Sequence, residues 1–322
     1  MIQPSFQEFC RLAKDGNVIP VYQELLMDLE TPLSFFKRLE RDDYAFLLES
    51  VEGSERWARF SFLGTRPYRV FKARGNRVEV IDNGKKKISL SEQPLESLAG
   101  LFAGWRPVSV PGLPPFFGGA LGYVAYDAVT QLHEIANEKR DALELPEIFF
   151  IFVQTLVAFD NLKHSIKVID NARIEAETSL RQAYDEAAAR VQKVIASLEQ
   201  KPRGFELRHL REATGARKFK SNLSRNEFYR AVDRAKEYIR SGDIIQAVLC
   251  QRLETETNTD PFEIYRALRV INPSPYMYYL ELEDLRVIGS SPETMVRLNN
   301  GIIELRPIAG TRRLAWDRPG LG

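Results

Sequence analysis

The amino-acid sequence predicts an α+β protein, in which antiparallel sheets are flanked by helices. Segments with strand-like patterns follow one another in groups, whereas regular alternation of strand and helix would indicate a parallel, doubly wound sheet. Capped amphipathic helices separate these groups. The chain has 322 residues, of which 44% are hydrophobic and 28% charged, so it can bury one large core or two of ordinary size.

The first part of the chain combines a short helix with a strand meander. Thr31-Pro32 is typical of a helix start, because proline at the first helical position lacks an amide that would be unsatisfied in any case. Leu33, Phe36 and Leu39 then follow at helical spacing. Strands are predicted over 44–50, 57–63 and 68–90, with turns at Gly75-Asn76 and Asp82-Asn83-Gly84.

A glycine-rich segment follows at residues 107–126 and contains Gly118, Gly119 and Gly122. Its spacing fits neither the dinucleotide-binding fingerprint nor the P-loop, so the pattern argues against a nucleotide site. Glycines this close together indicate a backbone packed tightly against a neighbouring element. Further on, strands are predicted over 148–159 and 164–170, followed by a long core-facing helix over 173–198.

A polar, basic segment at residues 201–220 predicts the boundary between two domains, 1–205 and 206–322. The second domain opens with a helix that has a Ser224/Glu227 capping box and ends at Gly242. The buried stripe of this helix is predicted to be Phe228, Val232, Ala235 and Ile239. A strand over 243–252, a helix from Pro261 to before Asn272, and strands over 276–283, 285–290 and 295–305 complete the prediction.

Charge and cysteine content exclude several classes of protein. Lysine and arginine total 45 against 44 acidic residues, so bulk charge favours neither nucleic acid nor a membrane surface. Lys85-Lys86-Lys87 follows a turn and is interpreted as a solvated hairpin tip. Cys10 and Cys250 are too few for a disulfide framework, and no apolar run reaches the roughly 18 to 20 residues of a membrane span. We therefore expect a cytoplasmic protein.

Residues 305–313 carry the clearest binding chemistry. A hairpin with an Asn299-Asn300-Gly301 turn delivers Ala309, Gly310 and Thr311 at the exit of its second strand. Small residues let backbone amides approach a ligand, and the Thr311 hydroxyl adds a donor. Three nearby arginines raise the positive potential: Arg306, Arg312 and Arg313. The segment suits a carboxylate or another small anion, and the alternative is a hairpin end with a solvated basic rim.

Five segments, in order along the chain, resemble the chorismate-utilising enzymes and most closely the large subunits of anthranilate synthase, component I. They are Leu47-Leu-Glu-Ser50, Gly242-Asp-Ile-Ile-Gln-Ala-Val-Leu249, Asn272-Pro-Ser-Pro-Tyr-Met277, Ser291-Pro-Glu293 and Pro307-Ile-Ala-Gly-Thr311. The resemblance extends from about Thr31 to Arg313. One segment alone would be a weak signal, whereas five in the right order are specific.

The resemblance implies a lyase that converts chorismate and ammonia to anthranilate and pyruvate with Mg²⁺, at the first committed step of tryptophan synthesis. Ammonia would come from glutamine through a separate amidotransferase subunit, component II. The resemblance further implies feedback inhibition by L-tryptophan. It assigns residues 1–205 to an N-terminal regulatory domain and 206–322 to the start of a chorismate-binding catalytic domain.

The same resemblance assigns two sets of site residues. Gly310 and Thr311 match the turn that contacts chorismate, in agreement with the anion chemistry inferred from the residues themselves. The tryptophan site matches Ser50, Pro275, Tyr276 and Met277, where Tyr276 and Met277 would flank the indole. Taken without the resemblance, the latter residues read as strand core and a rigid proline turn.

Alternatives within the family differ at Ala309. Aminodeoxychorismate synthases typically have a lysine there that attacks the ring, and an alanine cannot act as a nucleophile. Isochorismate and salicylate synthases rank lower because their resemblance usually lacks the Leu-Leu-Glu-Ser segment. A non-catalytic tryptophan- or amidotransferase-binding fragment and an unrelated α+β binding protein also remain open.

The resemblance stops at Arg313, and residues 314–322 do not look like the continuation that the family would have. The glutamates expected to bind Mg²⁺, the acid/base histidine and a second substrate-binding arginine are expected beyond residue 322, so the sequence predicts no metal ligands within it. We therefore expect a frameshift or premature stop near codon 313, and no anthranilate formation by a chain of this length.

Overall fold

The computed structural model describes residues 1–40, 42–51, 59–135, 143–199 and 218–307. The helices are α1 (Phe6–Leu12), α2 (Pro32–Arg38), α3 (Pro94–Gly100), α4 (Leu180–Leu198), α5 (Arg225–Ser241) and α6 (Pro261–Ile271), with a 3₁₀ helix at Tyr126–Gln131. The first ten strands are β1 (Val18–Leu26), β2 (Tyr44–Glu49), β3 (Phe60–Thr65), β4 (Arg69–Arg74), β5 (Arg77–Asp82), β6 (Lys85–Leu90), β7 (Gly119–Val124), β8 (Ile148–Val153), β9 (Thr155–Asp160) and β10 (Ser165–Arg173). The others are β11 (Lys220–Ser221), β12 (Leu253–Glu254), β13 (Tyr276–Leu282), β14 (Leu285–Ser291), β15 (Arg297–Asn299) and β16 (Ile302–Glu304).

The chain forms two compact units. The larger comprises Met1–Gly204 together with Pro261–Gly322, and the smaller is Phe205–Asp260. The larger unit contains both principal sheets, and all their strand pairs are antiparallel, which confirms the predicted α+β class. β13 and β14 thus extend a sheet built from the first part of the chain, because β13 pairs with β2. The assignment of 1–205 and 206–322 as separate domains stays a prediction.

A seven-stranded sheet and a five-stranded sheet form the centre of the larger unit. Their strand orders are β1-β10-β9-β3-β2-β13-β14 and β6-β5-β4-β8-β7. Helices α2, α4 and α6 cover one face of the seven-stranded sheet, where Phe36, Val191 and Phe262 pack against Leu47 and Met277. The other face packs against the five-stranded sheet. This arrangement leaves the ends of β2 and β13 beside the helix layer.

Two of the predicted glycines are required by close packing: Gly122 lies against the backbone of β8 within the five-stranded sheet, and Gly118 lies against the Asn171 side chain of β10. A Cβ on Gly122 would lie 1.8 Å from the Phe149 carbonyl oxygen, and one on Gly118 would lie 2.2 Å from Asn171 Nδ2. Gly119 has a positive φ of 113° and open space around it, so glycine is needed there for the backbone conformation and not for close packing. The prediction of tight packing is confirmed for Gly118 and Gly122.

The predicted helix caps and strand turns are confirmed. Thr31 caps α2, Ser224 and Glu227 form the capping box of α5, and Gly242 ends that helix with a φ of 84°. The meander from Tyr68 onward forms three strands with turns at the predicted positions. All three lysines of the 85–87 segment are exposed on β6, as expected of a solvated tip.

Three predictions about elements were wrong. The apolar run 148–159 is two strands that belong to different sheets and are separated at Gln154, because the chain crosses from one sheet to the other there. The helix expected from Arg173 begins at Leu180, since Arg173 still pairs with Val18 in β10. Residues 243–252 do not form a strand, and the described part of the smaller unit pairs only β11 with β12.

The prediction that one stripe of α5 is buried was also wrong. No residue of α5 is buried, and Ile239 is 45% exposed. The described part of the smaller unit holds one helix and a ladder of two-residue strands, which is too little apolar surface to cover the stripe.

Candidate functional site

The residues assigned to amino-acid binding lie where β2 ends beside the turn that connects α6 to β13. Glu49 is the last residue of β2 and lies opposite Met277. Ser50 therefore leaves the strand next to Tyr276, on the same face of the sheet, because directly opposed residues in antiparallel strands share a face. The amide of Val51 donates to the carbonyl of Ser274 at 3.1 Å and fixes the two segments together.

The turn at residues 272–275 is held by a small hydrogen-bond network. The Ser290 hydroxyl, on β14, lies 2.7 Å from both the Asn272 carbonyl oxygen and Ser274 Oγ. The Asn272 side-chain amide donates back to Ser290 Oγ at 3.2 Å. Pro273 and Pro275 restrict the backbone on either side of Ser274. The turn is therefore preorganised as one wall of a site.

Ser50, in the segment next to this wall, has a hydroxyl that the described part of the fold does not use. Its Oγ is enclosed and has no hydrogen-bond partner among the described residues. Buried hydroxyl groups normally have a partner, and one without a partner costs free energy, so this group is suited to a ligand. Tyr276 is half-buried beside it, and its hydroxyl is hydrogen bonded to Thr294 Oγ1.

Met277 lies on the opposite face of β13. Its side chain is 1% exposed and belongs to the core beneath α2 and α6. Consecutive side chains of a strand point to opposite faces, so Tyr276 and Met277 do not present their side chains to the same ring. The structure brings Ser50, Pro275 and Tyr276 together, with Met277 behind them on the core side.

A buried carboxylate that the sequence analysis did not single out lies behind this site. The Glu49 side chain is 1% exposed and accepts hydrogen bonds from the Tyr265 hydroxyl at 2.6 Å and from Arg269 Nε at 3.1 Å. Burial, together with the charge and hydrogen bond of Glu49, raises the pKa of Tyr265. The available signal was a lone glutamate in an apolar strand together with Tyr265 and Arg269 at a spacing of four on one helix.

A second candidate site begins at the end of the described chain. Ser291, Glu293, Thr294 and Met295 line one side of an open cleft of 480 Å³, and Leu305, Arg306 and Pro307 line the other. The β15–β16 hairpin confirms the predicted turn, with positive φ at Asn300 and Gly301. Gly310 and Thr311, the residues assigned to chorismate, lie outside the described residues.

Two further observations concern metal ions and membranes. Within the described ranges, no group of three or more His, Cys, Asp or Glu side chains is arranged to hold a metal ion. Those ranges also contain no helix whose length and apolarity would allow it to cross a membrane.

The sequence of residues 43–318 matches the profile of the chorismate binding enzymes. The chain belongs to this family. The family profile spans the β2 end, α6, β13 and the cleft at residues 291–307, so both candidate sites lie within the matched region.

Curated relatives of this chain include anthranilate synthase component 1 of Acetivibrio thermocellus, which is 42% identical over 316 residues. The protein of that name from Aquifex aeolicus is 39% identical over 310 residues. The matches cover 97% and 96% of this chain but 64% and 62% of the relatives. The chain therefore spans a little under two thirds of their length.

A solved structure, anthranilate synthase component I from Streptococcus pneumoniae TIGR4, shares the fold. It superposes with a TM-score of 0.64 at 30% sequence identity, over 87% of this chain and 59% of that one. The likeness thus includes most of the sheets described above.

Proposed function

We propose that the chain is the large-subunit component of an anthranilate synthase, in which chorismate and ammonia yield anthranilate and pyruvate. The observation that carries this proposal is the 42% identity over 97% of the chain to a protein named anthranilate synthase component 1. Ala309 adds support against an aminodeoxychorismate synthase, because a methyl side chain cannot form the covalent bond that a lysine would.

Chorismate is proposed to bind beyond the cleft at residues 291–307. Pro307 lines this cleft and leads directly to Gly310 and Thr311, whose amides and hydroxyl would hold a substrate carboxylate. Mg²⁺ belongs to the proposal through the family resemblance, where it would neutralise a carboxylate of the dianionic substrate. The described residues offer no ligand group for the ion, so no step is assigned to it. Ammonia is proposed to come from glutamine through a component II amidotransferase, and the protein is proposed to act in the cytoplasm.

L-Tryptophan is proposed to bind at Ser50, Pro275, Tyr276 and Met277 as a feedback inhibitor. The support is the unpartnered Ser50 hydroxyl beside a turn held by four hydrogen-bonding groups. An α-amino acid offers an ammonium group and a carboxylate, and either can bond to a hydroxyl and to turn backbone. In this proposal Tyr276 contacts the indole, while Met277 supports the strand from the core side. Residues 1–205 would then act as the regulatory domain and 206–322 as the first part of the catalytic domain.

The test of the proposed reaction is the fluorescence of anthranilate. The product of the complete reading frame is mixed with chorismate, Mg²⁺ and ammonium, and the emission is followed with and without L-tryptophan. Emission that grows with time and is suppressed by tryptophan supports the proposal. Chorismate consumption that yields isochorismate or aminodeoxychorismate, with no anthranilate, would exclude it.

A further inference from the structure

The carboxylate of Glu49 is held from the core side by two side chains of α6. Tyr265 donates its hydroxyl hydrogen bond at 2.6 Å, and Arg269 donates from Nε at 3.1 Å and from Nη2 at 3.3 Å. Tyr265 is fully buried, and the Arg269 side chain is 34% exposed. A buried carboxylate is tolerated only with such compensation, so these contacts fasten α6 to the end of β2.

This contact closes a loop of chain around the candidate amino-acid site. From Arg269, α6 continues to Ile271 and into the 272–275 turn, and the turn leads into β13. β13 returns to Glu49, because Met277 lies opposite that residue. Ser50 follows Glu49 directly, so a displacement of the carboxylate moves the Ser50 hydroxyl relative to the turn. The 3.1 Å bond from the Val51 amide to the Ser274 carbonyl reports on that distance.

We propose that Arg269 and Tyr265 are positioning residues for the amino-acid site. They contact Glu49 on the face of the sheet opposite Ser50 and Tyr276, and so do not touch the ligand. Their role is to hold Ser50 and the 272–276 turn at binding distance. The inference rests on the proposed tryptophan site.

Calorimetric titration of L-tryptophan into the chain tests the inference with Arg269→Met and Tyr265→Phe. Loss of the guanidinium is expected to weaken tryptophan binding roughly 2- to 30-fold, the range found for residues that act through others. Tyr265→Phe keeps the ring and removes one hydrogen bond, so its effect is expected to be smaller. Arg269→Lys retains the charge and is expected to restore part of the affinity.

Arg190→Met is the matched control. Arg190 on α4 pairs with the buried carboxylate of Asp170 on β10, with Nε at 2.9 Å and Nη2 at 3.0 Å. The exposures match as well, since Arg190 is 36% and Asp170 0% exposed, against 34% and 1% for Arg269 and Glu49. This control therefore makes the same kind of lesion at another place in the fold. We expect it to leave tryptophan affinity unchanged.

Hydrogen exchange supplies a second readout that general destabilisation does not imitate. Exchange of the Val51 amide is expected to accelerate in Arg269→Met relative to Arg190→Met. If Arg269→Met does not fold, tryptophan titration and Val51 amide exchange of Tyr265→Phe test the positioning role instead.

Equal tryptophan affinity in the wild type and the α6 variants would overturn the positioning role while leaving the tryptophan site intact. An equal loss in Arg190→Met would overturn it too. A wild-type chain that binds no tryptophan would overturn both the proposed site and this inference.

Discussion

Removal of the Ser50 hydroxyl is expected to weaken tryptophan binding without lowering the stability of the fold. Because Oγ has no partner among the described residues, Ser50→Ala removes no internal hydrogen bond and relieves an unsatisfied hydroxyl, so it should leave the free energy of unfolding unchanged or raise it by up to about 1 kcal/mol. The hydroxyl would bond to a charged group of tryptophan, so its loss should weaken binding by roughly tenfold or more. Calorimetric titration and urea unfolding measure the two quantities. Ser89→Ala, on exposed β6, is the control and should change neither.

The ammonium group of Lys72 lies between carboxylates from both sheets. Its ammonium lies 3.1 Å from Glu79 Oε1 and 2.8 Å from Glu283 Oε1, and Tyr44 donates to the same Glu283 oxygen at 2.5 Å. Lys72→Met leaves two half-buried carboxylates without this cation and should destabilise the protein by about 2 kcal/mol. Urea unfolding at neutral pH checks the value. Lys87→Met on exposed β6 should lie within about 0.5 kcal/mol of the wild type.

The same carboxylates predict a dependence of stability on pH. Burial opposes their ionisation. Hydrogen bonds from Lys86 and Lys72 to Glu79, and from Lys72 and Tyr44 to Glu283, outweigh burial and lower the pKa of both carboxyls below the ordinary 4.5. A carboxyl with a lowered folded pKa adds stability above its unfolded pKa, and this stability is lost as the pH falls through the folded pKa. The cost of Lys72→Met should therefore shrink between about pH 7 and about pH 3.5. A constant cost over that range would contradict the pairing.

At the residue level, the sequence indicated Ser50, Pro275, Tyr276 and Met277 as one group. It could not show which face of the sheet each side chain occupies, because that depends on the register between β2 and β13. The segments are far apart in the chain and meet only because β2 pairs with β13. That same pairing places Met277 on the core face, which a motif cannot show. Glu49 was missed because its partners lie on another element, and the pattern in either segment alone does not show that the two segments meet.

At the level of elements, Gly122 and Gly100 provide a matched pair of substitutions. Gly122→Ala would place a methyl group 1.8 Å from a backbone oxygen of β8, so the sheet must shift, and a loss of about 3 kcal/mol or more is expected. Gly100 is the last residue of α3 and has open space around its Cα, so Gly100→Ala should stabilise the protein by about 0.5 kcal/mol. Thermal unfolding of both variants gives the sign of each change. A tolerated Gly122→Ala would contradict the close packing of β7 on β8.

Elements with local signals were predictable, whereas those decided by distant partners were not. The caps of α2 and α5 and the turn at Asn300-Gly301 depend on a few neighbouring residues, and all three were predicted. Residues 148–159 form one apolar run in sequence, but the change of sheet at Gln154 is set by packing between layers. Residues 243–252, expected to form a strand, are apolar over most of their length but have no partner strand within the described residues.

For the molecule as a whole, binding at the end of β2 should stabilise the larger unit. A ligand at about 100 times its dissociation constant adds about 2.7 kcal/mol to the folded state, because only that state binds it. L-Tryptophan should therefore raise the midpoint of thermal unfolding by several degrees, and L-phenylalanine should raise it less. Ser50→Ala, with binding weakened about tenfold or more, should show about half of this shift or less. An equal shift with both amino acids would argue against a site that recognises indole.

The arrangement of sheets explains why the chain order conceals the amino-acid site. Its two walls come from residues near 50 and near 275, and β13 inserts between β2 and β14 to bring them together. Composition and periodicity predicted antiparallel sheets, but the strand order could not be predicted from them, since it depends on which edges pair after the chain has returned.

Hydrogen exchange of the chain with and without L-tryptophan tests most directly that these two walls form one site. The proposal predicts slower exchange at residues 50–51 and 272–276 together, with little change on β6 and α3. Protection confined to other segments, or none at saturating tryptophan, would contradict it.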